Sequence, residues 1–187
     1  ANYFVYTGNA YPHKNLRRLV EAIVLLNNKL KSQGGNKVVL KISSSRGIFT
    51  ERLEKIIRDS NAEKYVELLG YVSDNKISSL YKNSISFVFA TLSEGFGLPP
   101  KEAIEAGTFA IISDIPVLKE VYRDSVIYFN SLDIKDMVRA MEEVLNMSEL
   151  ERQKRIKYAQ KYLKKYSWKK MAKETLKVYE SVIGYSK

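Results

Sequence analysis

Six short apolar runs alternate along the chain with longer segments whose apolar residues recur on a helical period. The runs cover residues 3–8, 38–45, 66–70, 85–90, 109–113 and 126–129. Between the first two runs, residues 15–30 place leucine, valine and isoleucine at the spacing that lines one helix face. The runs are apolar throughout, which is typical of parallel strands covered on both faces. We therefore expect an α/β fold with a Rossmann-like, doubly wound, mostly parallel six-stranded sheet.

Further helices are expected between the later runs and after them. The pattern predicts a helix beginning at Thr50, one over residues 73–82 and one that contains Glu102. After residue 129 it becomes purely helical, with helices over residues 133–146, 149–166 and around 168–183. We expect one domain over residues 1–187, in which residues 149–187 form a basic helical extension.

The positive charge is concentrated at one end of the chain. Residues 151–187 carry 12 of the 31 Lys and Arg residues but only 3 of the 21 Asp and Glu residues. The rest of the chain is close to neutral, and it shows no nucleic-acid-binding motif. Nucleic acid is therefore not an expected partner. A solvated basic face with aromatic core contacts is the default interpretation of this end, and attachment to an anionic membrane surface is the alternative.

Cysteine and histidine usage narrows the possible chemistry. The chain has no Cys and one His, which excludes disulfides and makes a transition-metal site improbable. The lack of cysteine fits a reducing compartment, so we expect a cytoplasmic location, peripheral to the inner face of the membrane if the basic end binds lipid. The sequence enters a strand-like run almost at once, so we expect it to be a fragment of a longer protein.

The loop after the first predicted strand contains a candidate phosphate ligand. Gly8 permits a tight turn, and Lys14 comes at the start of the following helix. A cation there opposes the helix dipole, so a bound phosphate would explain it better than capping does. The alternative is a solvated Lys14 followed by a helix cap at Asn15.

The loop after the fourth predicted strand combines glycines and carboxylates. Gly95 and Gly97 let the backbone approach a ligand and direct N–H groups at oxyanions. Glu94 and Glu102 flank this turn, and carboxylates accept hydrogen bonds from paired hydroxyls such as those of sugars. For Glu102, compensation of a helix dipole is the alternative. The loop is neither a dinucleotide fingerprint nor a Walker loop.

A third loop could accept a flat base. The third predicted strand ends at Gly70, and Val72 and a capping Ser73 or Asp74 follow. An ordinary strand–turn–helix connection is the alternative interpretation.

Taken together, these motifs resemble those of retaining glycosyltransferases of the GT-B fold, family 4. The resemblance rests on the run from Ser93 to Glu102 with its two glutamates, on the loop from Tyr6 to Leu16 and on the turn from Leu69 to Val72. It extends through Glu105 to Asp114. It covers nearly the whole chain, but only the C-terminal, nucleotide-sugar-binding half of the two-domain enzymes.

The resemblance implies roles for individual residues. Lys14 would bind the donor diphosphate, Glu102 the ribose hydroxyls and Glu94 the donor sugar, so that Glu94 and Lys14 would be the catalytic residues. Gly8 and Asn9 in the first loop would also contact the donor. In the second loop, the backbone of Gly95, Phe96, Gly97 and Leu98 would contact it. Val72 would contact the base through its backbone. Many relatives have Arg where this chain has Asn9, so the phosphate site here lacks one cation unless another basic residue replaces it.

The implied reaction is retaining transfer of a hexose from a nucleoside diphosphate sugar to a glycan or lipid-linked acceptor. GDP-mannose and UDP-hexoses are the leading donors, and no metal or other cofactor is implied. The acceptor would bind to the missing N-terminal domain. The resemblance also implies that the basic C-terminal end packs back against that domain. The alternatives are a nucleotide-sugar epimerase or a phosphorylase of the same architecture, and a non-catalytic nucleotide-binding or membrane-associating module.

Overall fold

Six parallel strands form the centre of the computed structural model, which describes residues 2–184. The strands are β1 (Tyr3–Thr7), β2 (Val39–Ser43), β3 (Val66–Gly70), β4 (Ser86–Phe89), β5 (Ala110–Ser113) and β6 (Ile127–Phe129). Their order in the sheet is β3-β2-β1-β4-β5-β6, and each neighbouring pair is parallel. This is the doubly wound order, and it confirms the predicted fold class.

Eight α-helices accompany the strands within residues 2–184. They are α1 (Leu16–Ser32), α2 (Ile48–Asp59), α3 (Asp74–Lys82), α4 (Leu98–Glu105), α5 (Pro116–Tyr122), α6 (Ile134–Leu145), α7 (Glu149–Leu163) and α8 (Trp168–Val182). The apolar face of α1 is buried as predicted, with Leu19, Val20 and Ile23 fully enclosed. Strands β4 and β5 are buried at every position, so their apolar runs reflect coverage on both faces.

Two helical segments differ from the sequence-based expectation. The α2 helix begins at Ile48 rather than Thr50, and the Thr50 hydroxyl donates a hydrogen bond to the Ser45 carbonyl at 2.7 Å. The α5 helix was not predicted at all. It is only seven residues long, too short for a helical period to stand out.

The C-terminal helices differ in how they meet the sheet domain. The α7 helix is held by Arg152, whose guanidinium donates to the carbonyls of Ile85 at 2.8 Å and Val144 at 3.0 Å. The α8 helix buries none of its residues, and Trp168 is 69% exposed. The expected aromatic core contacts are therefore wrong for Trp168. No helix within residues 2–184 is long and apolar enough to cross a membrane.

Candidate functional site

The strand order reverses between β1 and β4, and the loops that follow these two strands meet at that point. The Leu92 N–H donates to the His13 carbonyl at 2.7 Å, and the Thr91 hydroxyl donates to the same oxygen at 3.2 Å. In a doubly wound sheet, the crevice at such a switch point is where ligands bind. The first two sequence-predicted loops are thus joined at the expected place.

Lys14 and Glu94 form an ion pair across this crevice. Lys14 Nζ lies 2.5 Å from Glu94 Oε1, and the two side chains are only 12% and 13% exposed. The Lys14 ammonium also lies 5.4 Å from the centroid of the Phe89 ring. The interpretation of Lys14 as a solvated residue is therefore wrong. An ammonium has three N–H donors, so Lys14 keeps donor capacity for a ligand besides Glu94.

Asn15 positions the first loop, a role that the sequence analysis missed. Its backbone is left-handed, with φ 59°, and its side-chain amide donates to the carbonyls of Ala90 at 3.1 Å and Ser131 at 2.7 Å. Asn15 occupies the N-cap position of α1, as the alternative interpretation expected, but its side chain makes no capping hydrogen bond to the helix. The signal available in the sequence was an Asn at a loop–helix junction, since Asn tolerates this conformation.

The Tyr6 side chain stabilises the turn at Gly8 and Asn9. The buried Tyr6 hydroxyl donates to the Asn9 carbonyl at 2.8 Å. A Cβ at Gly8, where φ is 140°, would approach that hydroxyl to 3.0 Å. Burial, with a further contribution from the charge of Glu94, raises the pKa of Tyr6 and keeps the hydroxyl protonated as a donor. Asn9 itself is exposed at the crevice.

The second loop turns sharply into α4 at Gly97. Its φ is +82°, and a Cβ there would come within 2.6 Å of Leu118 Cδ2. The buried Tyr122 hydroxyl donates to the Gly97 carbonyl and fixes the turn. The first turn of α4 contains no acidic side chain. Pro99 and Pro100 have no N–H, so attraction of an anion here depends on the remaining backbone N–H groups and the helix dipole.

The neighbours of Gly97 in this loop differ in their exposure. Gly95 has open space where a Cβ would be, and Leu98 is exposed. Phe96 packs edge-on against Tyr166 with 5.2 Å between ring centroids. The loop is therefore accessible at Gly95 and Leu98 and enclosed at Gly97.

Glu102 lies one turn into α4, beside a pocket of about 510 Å³ between α3 and α4. It is outside the first helical turn, so the dipole-compensation interpretation is wrong. Asp74 and Tyr81 also line the pocket. Partial desolvation raises the pKa of Glu102; Glu105 and Asp74 add to the rise, while Lys101 opposes it. The Tyr81 hydroxyl lies 2.6 Å from Thr7 Oγ1, which links this pocket to the end of β1.

Val72 is separated from the Lys14–Glu94 pair by one strand of the sheet. It follows Gly70, which has φ +67° and whose carbonyl accepts hydrogen bonds from the Ser44 N–H and the Ser43 hydroxyl. Val72 is partly buried, and Ser73 at the start of α3 makes no side-chain capping bond. The predicted residues thus fall into three neighbouring places: the ion pair, the α4 turn with its pocket, and the β3 turn.

The chain has 21 Asp and Glu residues and one His, but in the part that the structure describes these side chains are not clustered as a metal site requires. Among residues 2–184, no group of three or more His, Asp and Glu side chains is arranged to hold a metal ion.

Comparison with known proteins places this chain in a family. The family model described as "Glycosyl transferases group 1" matches residues 1–162. The chain is 32% identical over 143 residues to the O-antigen chain mannosyltransferase RfbU of Salmonella typhimurium strain LT2, covering 76% of this chain and 38% of that protein. It is 28% identical over 180 residues to the O-antigen chain mannosyltransferase B of Escherichia coli, covering 95% and 45%. The chain thus spans less than half the length of these curated relatives.

Solved structures share the fold at low sequence identity. The sucrose-phosphate synthase of Thermosynechococcus elongatus superimposes with a TM-score of 0.84 at 17% identity, over 98% of this chain and 46% of that one. A mutant of S. aureus TarM, in complex with Fondaparinux, α-GlcNAc-glycerol and UDP, gives 0.82 at 19% identity, over 95% and 35%. With the family model covering most of its length, the chain belongs to the group 1 glycosyltransferases.

Proposed function

We propose that this chain is the donor-binding half of a retaining glycosyltransferase that transfers a hexose from a nucleoside diphosphate sugar to a glycan or lipid-linked acceptor. The observation that carries the proposal is the Lys14–Glu94 ion pair at the switch point. In this proposal the pair supplies a cation for the diphosphate and, next to it, an acceptor for sugar hydroxyls. The family membership and the mannosyltransferase names of the relatives support a hexose, with mannose as the first choice.

In this proposal Lys14 and the α4 turn act on the leaving group. The diphosphate gains negative charge as the sugar departs, so donors aimed at it stabilise the transition state more than the ground state. Those donors are the remaining Lys14 N–H groups and the loop amides from Gly95 to Leu98. A charge-assisted hydrogen bond contributes about 1.5–3 kcal/mol, so the loss of Lys14 would weaken diphosphate binding by about tenfold or more.

Glu94 has two functions in this proposal. It accepts hydrogen bonds from the donor sugar, and it holds the Lys14 side chain over the crevice before the donor arrives. Glu102 accepts hydrogen bonds from the ribose hydroxyls in the pocket between α3 and α4. Lys14 and the loop amides would stabilise the diphosphate through hydrogen bonds, and we propose that no metal ion is required.

We propose guanine as the base, because of Asp74. This residue lines the same pocket as Glu102, and its charge contributes to the raised pKa of Glu102. A carboxylate only accepts hydrogen bonds, which suits the adjacent N1–H and N2–H₂ donors of guanine. Uracil offers one N–H between two carbonyl oxygens, which a carboxylate would repel. The turn at Val72 would then contact the base through its backbone.

The test is calorimetric titration of the chain with GDP, UDP and ADP, each alone and carrying a hexose. We expect GDP and GDP-mannose to bind most tightly. The Asp74→Asn variant should lose the preference for GDP over UDP, whereas Asp59→Asn, which changes an exposed carboxylate on α2, should keep it. Equal affinity for all three nucleotides in the unaltered chain would contradict the choice of guanine, and no binding of any of them would contradict the proposed function.

A second proposal concerns α8, and the specific observation is its unburied apolar face. Its apolar residues recur on one side, and its lysines lie on the other. The apolar residues include Trp168, Met171, Val178, Tyr179 and Val182, each more than half exposed, and the lysines are Lys169, Lys170, Lys173 and Lys177. This arrangement is typical of a helix that lies in the plane of an anionic membrane surface. We propose such a peripheral attachment, which would bring the site close to a lipid-linked acceptor.

A further inference from the structure

A separate groove, lined in part by residues of the first loop, is rich in arginine. It has a volume of about 260 Å³ and lies between the loop from Ala10 to Asn15, the start of α1 and the helix α2. Arg17, Arg18 and Arg52 line it, and none of its lining residues is acidic. Neither Lys14 nor Glu94 lines the groove, so it is separate from the proposed donor site.

The three guanidinium groups of the groove lack carboxylate partners among residues 2–184. None of the ion pairs found in that part of the chain involves Arg17, Arg18 or Arg52. Arg18 is held in place by a 3.0 Å hydrogen bond from its Nη1 to Asn15 Oδ1. Arg17 and Arg18 also occupy the first turn of α1, where positive side chains oppose the helix dipole and no capping side chain is present. An anion in the groove would offset much of this positive charge.

Aromatic side chains form one wall of the groove. Tyr11 packs edge-on against Phe49 with 5.0 Å between ring centroids, and the Arg52 guanidinium lies 5.5 Å from the Phe49 centroid. Tyr11 remains 46% exposed. An exposed aromatic face beside guanidinium groups suits a ligand that combines an apolar or sugar-ring surface with a phosphate. The volume is below the usual range of about 300–1,000 Å³ for whole-ligand pockets, so the groove fits a head group rather than an entire substrate.

The groove lies close to the place where the donor sugar would react. Leu92 lines it, and Glu94 is two residues further along the same loop. Two residues span at most about 7 Å of chain. A ligand in the groove would therefore be near the sugar that Glu94 contacts in the proposed function, although Lys14 and Glu94 do not line the groove.

We infer that this arginine groove binds a phosphate or diphosphate group of the acceptor substrate. The inference rests on the proposed function, because that function makes the second ligand an acceptor. It assigns acceptor recognition to residues of the donor-binding half, and it gives the basic first turn of α1 a ligand. The shared chemistry is a phosphate ester, which a lipid-linked glycan or a soluble sugar phosphate could supply.

The test measures phosphate binding by the chain in the presence and absence of saturating GDP. The probes are inorganic diphosphate, a hexose 1-phosphate and farnesyl diphosphate. The double variant Arg17→Gln/Arg52→Gln changes two exposed residues and keeps the Arg18–Asn15 hydrogen bond. Its matched control, Lys55→Gln/Arg58→Gln, removes two exposed charges from another part of α2.

We expect each probe to bind to the chain alongside GDP. The groove variant should bind each probe at least about tenfold more weakly, which is the effect of losing one charge-assisted hydrogen bond. The affinity of the control variant for the probes should be unchanged. Tighter binding of farnesyl diphosphate than of inorganic diphosphate would assign the phosphate to a lipid, and equal binding would assign it to a soluble ester. The inference is overturned if both double variants lose the same affinity, or if no probe binds. GDP affinity is a separate readout, so a failure to bind GDP rejects the donor site without deciding on the groove.

Discussion

Replacing Glu94 by Gln should strengthen the binding of a nucleoside diphosphate that carries no sugar. A phosphate oxygen that shares the Lys14 ammonium would lie about 2.8 Å from Nζ. Glu94 Oε1 is 2.5 Å from the same atom, so the two negative groups would be no more than about 5 Å apart. At an effective dielectric constant of about 20 their repulsion is about 3 kcal/mol, and water in the open crevice reduces it further. We expect a net gain of about 1 kcal/mol, or roughly fivefold tighter GDP binding.

The variant Lys14→Ala should act in the opposite direction on the same ligand. It removes the cation and leaves Glu94 facing the diphosphate, so GDP should bind more than about tenfold more weakly. Sugar transfer by the whole enzyme should fall in both variants. Lys14→Ala weakens donor binding, and Glu94→Gln weakens the contact with the donor sugar. Isothermal titration of GDP measures the binding effects, and Asp59→Asn, from an exposed Lys55–Asp59 pair, serves as the charge control. The reasoning is refuted if the two site variants shift GDP affinity in the same direction.

Four further variants or conditions test individual parts of the structure. Gly97→Ala should lower the free energy of unfolding in urea by about 2–3 kcal/mol, because position 97 has a positive φ and an added Cβ would contact the buried Leu118. Gly95→Ala should leave the free energy of unfolding nearly unchanged, since a Cβ there would lie in open space. Asn15→Ala should cost about 2–4 kcal/mol in the same assay, since it leaves two buried carbonyls without donors, and a loss below about 1 kcal/mol would contradict its positioning role. Because the pKa of Glu102 is raised above its ordinary value of 4.5, ionisation of Glu102 disfavours the folded state, and stability falls as the pH rises through the interval between the two pKa values. At neutral pH the Glu102→Gln variant should therefore have a melting temperature no lower than that of the unaltered chain, and any gain in melting temperature should vanish as the pH falls below that interval. Its affinity for GDP should drop. Loss of the folded state would contradict this reasoning. The chain should co-sediment with vesicles rich in anionic lipid at low salt and dissociate at high salt, and binding to neutral vesicles alone would contradict the proposed role of the α8 lysines.

The sequence was sufficient for the fold because each strand carries its own signal. Strands enclosed on both faces must be apolar at nearly every position, and the runs that became β1, β4 and β5 satisfy this. The helix α1 carries a continuous apolar face along most of its 17 residues. By contrast, α5 has seven residues and begins at Pro116, so neither its length nor its period distinguished it from a loop.

The candidate site could be predicted only as separate loops. Lys14, Glu94 and Glu102 stand out because each is a charged residue beside a glycine-rich or strand-ending turn. The pairing of Lys14 with Glu94 requires the two loops to meet in the folded protein. The two residues are 80 positions apart in the sequence, and no local pattern encodes a contact over that separation. The same limit explains Asn15, whose hydrogen-bond partners Ala90 and Ser131 lie on two other loops.

The arginine groove was missed for a related reason. Arg17 and Arg18 look like ordinary polar residues on the outer face of α1, and Arg52 looks the same on α2. Only the packing of α1 beside α2 brings them into one groove with Tyr11 and Phe49.

The central claim is that a sugar nucleotide binds where the β1 and β4 loops meet. A crystal structure of the chain with GDP-mannose tests it most directly. The account predicts diphosphate oxygens within hydrogen-bonding distance of Lys14 Nζ and of the loop amides before α4, with the ribose hydroxyls on Glu102. A donor bound elsewhere on the chain, with the Lys14–Glu94 pair untouched, would contradict it.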